Sequence, residues 1–176
     1  LARSRGWYAQ GVRLFKMKVG TDVEEDIRRL QAVHDALPGI NFIGDGNQGF
    51  SREDCIHFST GVKKFGGRLV LLEQPVVRDD LEGLQAIRHL TGIPVAADES
   101  VRSLDDARRV VEMQAADYIN IKIMKTGVVE ARRIADFTRS SGLRLMVGGM
   151  LETRIAMGCS FSLVLGLGDF DVLDLD

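Results

Sequence analysis

The sequence predicts an α/β fold, a partial (β/α) barrel of parallel strands, and three observations carry that expectation. Positions 18, 45, 73, 98 and 122 are spaced by 27, 28, 25 and 24 residues, the length of one strand, one helix and two short loops. Amphipathic stripes with helical spacing fill the intervals. Six of seven short apolar strands end in a lysine or a carboxylate, and in a (β/α) barrel the active site lies where the strands end.

The elements follow in order. Residues up to Gly11 read as the end of a helix, and LFKMKVG as the first strand. Val23, Ile27, Leu30, Val33 and Leu37 lie on one helical face, opened by Thr21 or Asp22 and stopped by Pro38-Gly39. FIGDGNQG is the second strand, and Ser51 with Asp54 opens a helix carrying Ile56, Val62 and Phe65. LVLLEQP leads to a helix with Leu81, Leu84, Ile87 and Leu90, for which Asp79 is the capping candidate and Thr91-Gly92 the stop. VAADES precedes a helix with Leu104, Ala107, Val110 and Val111, capped by Ser103. INIKIMK gives the next strand, ending at Lys122, and the loop after Lys122 holds Lys125, predicted to be solvated or ion-paired. A helix follows, with Val128, Ala131, Ile134, Ala135 and Phe137, stopped by Gly142. MVGGM (146–150), a helix from Glu152 to about Leu165, and VLDLD complete the series.

Composition narrows the function classes. A net charge of −2 with 45% hydrophobic residues describes an ordinary domain with no bias toward nucleic acid or membrane surfaces. The apolar stretch Phe161 to Leu167 is too short to span a bilayer. Cys55 and Cys159 lack CxxC spacing and read as reduced, buried thiols of a cytoplasmic protein. A full eight-unit barrel takes ~250 residues and seldom fewer than ~200, so the single domain 1–176 is expected to lack its first strand. An open barrel edge would invite association, hence a homo-oligomer.

Strand side chains alternate, so Lys16 and Lys18 share a face, and each charged residue is the last inward position before a loop. Asp45, Glu73 and Asp98 come from three successive strands. Carboxylates so close repel unless a cation neutralises them, and an all-oxygen set suits Mg²⁺. Lys18 and Lys122 lie four strands apart in the order. A carboxylate substrate between them would offer its α-carbon to a lysine on each side, and the metal would stabilise the enediolate that forms. Lys16, on the same face, favours a neutral Lys18 through like-charge repulsion. Asn47, Gln74 and Glu99, close behind the ligands, are candidates for orienting them. His34, His57 and His89 lie in helical segments and read as surface residues. Gly46, Gly49, Gly148 and Gly149 do not form GxGxxG after a strand, so they give no sign of a dinucleotide site of that kind.

The set KMK, DGNQG, LLEQP, ADES, NIKIMKTG and MLETRI resembles the muconate lactonizing enzyme subgroup of the enolase superfamily, over essentially the whole chain. The resemblance implies a TIM-type (β/α)7β barrel without its N-terminal capping domain. It also implies Mg²⁺ on Asp45, Glu73 and Asp98, and acid/base work by Lys18 and Lys122 assisted by Lys16. DGN stands where the family more often has DAN. The C-terminal DLD is similar to the Asp-x-Asp of dipeptide epimerases, which implies that Asp174 and Asp176 hold a dipeptide's ammonium. The implied reaction is 1,1-proton transfer on dipeptides. N-acylamino acid racemase, o-succinylbenzoate synthase and cycloisomerase activities, or a non-catalytic barrel fragment, are the alternatives.

Overall fold

A computed structural model describes residues 1–175, and Asp176 lies outside the described residues. The alternation read from the sequence is present. In chain order the elements are α1 (Ala2–Ala9), β1 (Leu14–Lys18), α2 (Val23–Ala36), β2 (Asn41–Asp45), α3 (Arg52–Lys64), β3 (Leu69–Glu73) and α4 (Leu81–Thr91). Then come β4 (Val95–Ala97), α5 (Leu104–Glu112), β5 (Tyr118–Ile121), α6 (Ile123–Ser140), β6 (Arg144–Gly148), α7 (Arg154–Leu167) and β7 (Val172–Asp174). The contacts group into two compact units, Leu1–Val95 and Ala96 onward.

In the first unit β1 pairs in parallel with β2 and β2 with β3, in a register that sets Lys18 beside Asp45 and Asp45 beside Glu73. Phe42, Ile43, Gly44 and Asp45 are all buried, as expected of a parallel strand covered on both faces. Helix α2 starts where Asp22 accepts the Glu25 N–H, and α3 where Ser51 accepts the Asp54 N–H. Leu30, Phe58, Leu84 and Ile87 pack fully buried beneath the helices. Helix α4 is capped by Asp80 and not by Asp79. The Asp80 side chain accepts the Gly83 N–H, while Asp79 stays exposed. Its end is the predicted one, a left-handed Gly92.

In the second unit β4 pairs with β5, β5 with β6 and β6 with β7, again all parallel. Ser103 caps α5 through the Asp106 N–H. Ile119, Ile134, Leu145 and Met146 are fully buried. Three expectations are corrected here. Helix α6 begins at Ile123, directly after Lys122, and the expected break survives only as a kink at Gly127 (φ 71°, ψ 169°). The strand expected at 146–150 runs from Arg144 to Gly148, because Arg144 and Leu145 already pair with Tyr118 and Ile119. The thiol of Cys55 is buried as expected, but Cys159 is only half-buried. Helix α7 buries just Ser160 and Leu163 and leaves Ile155, Phe161 and Leu165 exposed. Among the described residues no helix is long and apolar enough to cross a membrane.

Candidate active site

The C-terminal ends of β1, β2 and β3 bring Lys16, Lys18, Asp45 and Glu73 together. Asp45 and Glu73 have no exposed surface, and burying two ionised acids is costly unless cations meet them. Lys16 supplies one such cation to both: its Nζ stands 2.9 Å from Asp45 Oδ2 and 2.7 Å from Glu73 Oε2. Lys18 supplies a second, donating to Asp45 Oδ2 at 2.6 Å and to Asn47 Oδ1 at 2.8 Å. The two lysines differ in surroundings. The Lys16 side chain is 16% exposed and the Lys18 side chain 65%, so the expected inward position holds closely only for Lys16.

The loops after β2 and β3 lock this corner. The Asn47 N–H donates to Asp45 Oδ1 at 3.2 Å, and Asn47 adopts a left-handed backbone that asparagine tolerates. Gln74, fully buried and also left-handed, accepts the Gln48 N–H at its carbonyl and donates from Nε2 to the Val76 carbonyl. Between them Gly46 is required, since a Cβ there would lie 2.8 Å from Pro75 Cα. Asn47 and Gln74 thus hold the ends of the strands that carry Asp45 and Glu73.

In the second unit the central acid is Asp98, one residue past β4 and 1% exposed. Lys122, one residue past β5, donates to Asp98 Oδ2 at 2.5 Å. Lys125 donates to Asp98 Oδ1 at 2.6 Å, to the Asp98 carbonyl at 2.5 Å and to the Asn120 carbonyl at 3.0 Å. Burial alone would raise the Asp98 carboxyl, but the Lys125 and Lys122 ammonium groups outweigh it and hold the carboxyl below its ordinary range. Burial pushes the Lys125 ammonium down, against the attraction of Asp98. Of the two expected alternatives for Lys125, solvated or ion-paired, the second holds, with a side chain 8% exposed. Glu99 follows Asp98, is half-buried, and its charge favours the Lys125 ammonium.

Two residues of this unit escaped the sequence reading. Lys125 was assigned to a loop because the apolar stripe starts only at Val128. The signal for it was the three-residue step from Lys122, which one helical turn brings to the same side. Gly148 lies where β6 passes Lys122 and Asn120, and the uncharged strand MVGGM hid its role. Asp174 ends β7 opposite Gly148, half-buried, with its carbonyl accepting the Gly149 N–H at 3.1 Å. Asp176, its expected partner, lies outside the described residues.

The donor set suits a hard divalent cation. Asp45 and Glu73 turn oxygens toward one cationic point, now the Lys16 Nζ, and all the candidate ligands are carboxylate oxygens. Among the described residues no three His, Cys, Asp or Glu side chains gather closely enough to hold a metal ion. The acids are drawn to lysines, which neutralise them pair by pair.

Residues 1–175 match the family described as enolase C-terminal domain-like. The chain belongs to that family. Within it, the chain is 47% identical over 171 residues to an L-Ala-D/L-amino acid epimerase of Populus trichocarpa, covering 95% of this chain and 41% of that one. It is 43% identical over 178 residues to a hydrophobic dipeptide epimerase of Citrifermentans bemidjiense, covering 99% and 48%. The crystal structure of a dipeptide epimerase from Enterococcus faecalis V583, complexed with Mg and the dipeptide L-Leu-L-Tyr, superposes with a TM-score of 0.92 at 32% identity. That match covers 99% of this chain and 49% of that one. This enolase C-terminal domain-like chain therefore spans about half the length of the relatives it matches.

Proposed function

We propose that this chain carries the metal- and base-bearing part of a Mg²⁺-dependent dipeptide epimerase. The observation that carries the reading is a lysine paired with a buried carboxylate, at or just past a strand end, in each compact unit. Lys18 meets Asp45 at 2.6 Å and Lys122 meets Asp98 at 2.5 Å. Each pair sets a proton carrier beside an acid able to take a divalent cation. The relatives named as epimerases, and the neighbour complexed with Mg and L-Leu-L-Tyr, support the substrate class and the ion.

In this reading Asp45, Glu73 and Asp98 would hold Mg²⁺, and the bound ion would offset the charge that gathers on a substrate carboxylate as its α-proton leaves. Lys18 takes that proton. Lys122 returns one to the α-carbon, and exchange between two bases inverts the centre. Lys16 keeps Asp45 and Glu73 in place, and Asn47 steadies the Lys18 ammonium. Gln74 fixes the loop behind Glu73, and Glu99 adds negative charge beside Lys125. Asp174, with Asp176, accepts the dipeptide's ammonium, a charge-assisted contact that N-acylated substrates would lack.

The test is mass-spectrometric detection of α-deuterium uptake into a mixed dipeptide library in D₂O, with Mg²⁺ and then with chelator. Mg²⁺-dependent uptake is expected, and epimerisation should disappear in both Lys18→Ala and Lys122→Ala. Activity that survives in both variants would overturn the lysine assignment. Asp174→Asn should cripple turnover of dipeptides while sparing N-acylated amino acids. Exchange confined to N-acylated substrates would point to a racemase of the same subgroup.

A further inference from the structure

We propose that Lys125 is a positioning residue, which fixes the Asp98 carboxylate to the end of β5 and so aims Asp98 Oδ2 at Lys122. A lysine that served only to balance charge would keep its ammonium toward water along an extended stem. Lys125 does the reverse, with a side chain 8% exposed and its donors directed at three oxygens. Two of those oxygens are the carbonyls of Asp98 and Asn120, which follow β4 and lie within β5. The third is Asp98 Oδ1, and with that oxygen engaged the carboxylate plane is set and Oδ2 faces the Lys122 Nζ. Both lysines sit on one short turn, where the Lys125 N–H donates to the Lys122 carbonyl at 2.9 Å. The kink at Gly127 separates that turn from the rest of α6, so its orientation answers to Asp98 and Asn120 more than to the helix.

The consequence for metal binding rests on the reading that Asp98 is a Mg²⁺ ligand. Groups that orient a ligand typically cost about 10- to 100-fold in metal affinity when removed. The experiment compares wild type, Lys125→Met and Lys125→Arg by calorimetric Mg²⁺ titration. Amide hydrogen exchange at Val101, whose N–H donates to the Asp98 carbonyl at 3.0 Å, is the metal-free measurement.

At least tenfold weaker Mg²⁺ binding in a folded K125M, largely restored in K125R, is expected together with faster Val101 exchange in K125M alone. Wild-type affinity in K125M would overturn the proposal. If wild type takes up no Mg²⁺, the metal reading fails by itself, and the exchange measurement decides: unchanged exchange in K125M overturns the positioning role, faster exchange reversed in K125R supports it. Should K125M not fold, Lys125→Gln takes its place, with the same expected loss and the same overturning result.

Discussion

Gly148 leaves open the space that the Lys122 side chain occupies: a Cβ on Gly148 would stand 2.9 Å from Lys122 Cε and 2.9 Å from Asn120 Nδ2. Contacts so short force one group to move, and Lys122 is held at Asp98 while Asn120 is fully buried. Gly148→Ala should therefore destabilise the protein by about 1–3 kcal/mol, the usual cost of overpacking, and displace Lys122 from Asp98. Gly158→Ala is the control. Gly158 lies exposed within α7 with nothing near its Cβ position, so alanine there should stabilise by up to about 1 kcal/mol. Urea unfolding of the two variants checks both signs.

Lys16 stands within ion-pair distance of both Asp45 and Glu73. Replacing it with Met leaves the Lys18 ammonium to Asp45 and takes the Lys16 ion pair away from the fully buried Glu73. Breaking a buried pair from one side costs about 3–5 kcal/mol, because the remaining charge stays desolvated. Lys16→Met should show a loss of that order in thermal unfolding. Adding Asp45→Asn, which removes one of the two neighbouring negative charges, should return part of it. A loss under about 1 kcal/mol in K16M would mean that the carboxylates do not depend on this bridge.

What could be read from the sequence was local. Asp22, Ser51 and Ser103 cap the next helix through a side chain three residues from its bond partner, so the signal and its effect lie in one short window. The strand ends were legible for the same reason, since parallel strands buried on both faces leave charge only at their tips. The misassignments came where a distant group decides. Asp80 and not Asp79 caps α4 because Arg52, 28 residues earlier, holds its carboxylate in place. Lys125 is buried because Asp98 and Asn120 offer it three oxygens. That cannot be seen from the run KIMKTG, in which Thr126 and Gly127 resemble a loop. Cys159 reads as a buried thiol because it lacks CxxC spacing, yet α7 buries just Ser160 and Leu163 and leaves it half-buried.

The Arg52–Asp80 pair makes a pH prediction. The hydrogen bonds from Arg52 lower the Asp80 carboxyl, helped by the Gly83 N–H and opposed by partial burial. A carboxyl lowered on folding binds its proton more weakly in the native state. Its contribution is therefore complete above the unfolded value, near 3.9, and is lost as pH falls through the folded one. The Arg52 side chain is 41% exposed and solvent screens the pair, so Arg52→Ala should cost only a small part of the stability at pH 7. That difference from wild type should shrink as pH falls below the unfolded value and vanish once it passes the lowered native one, where Asp80 is protonated in both states. Chemical denaturation at pH 7 and at pH 3 tests it. A constant difference would show that Arg52 acts through packing and not through the Asp80 charge.

The two cysteines should part company toward a thiol reagent. Burial pushes the Cys55 thiol up to about 12, with a hydrogen bond to Ser59 only partly opposing it. At pH 8 the thiolate fraction of such a group is about one part in ten thousand, and the thiolate is the reactive form. Cys159 is half-buried on α7, where Ile155, Phe161 and Leu165 are exposed. Ellman's reagent at pH 8 should therefore modify Cys159 promptly in the folded protein and reach Cys55 only with denaturant. Since Cys55 sits fully buried in α3, the rate of its modification reports opening of the first unit. Lys16→Met, which weakens the strand ends in that same unit, should raise the rate, while Gly158→Ala in the second unit should leave it unchanged. Two equally fast thiols in the native protein would mean that α3 is not packed over the strands as described.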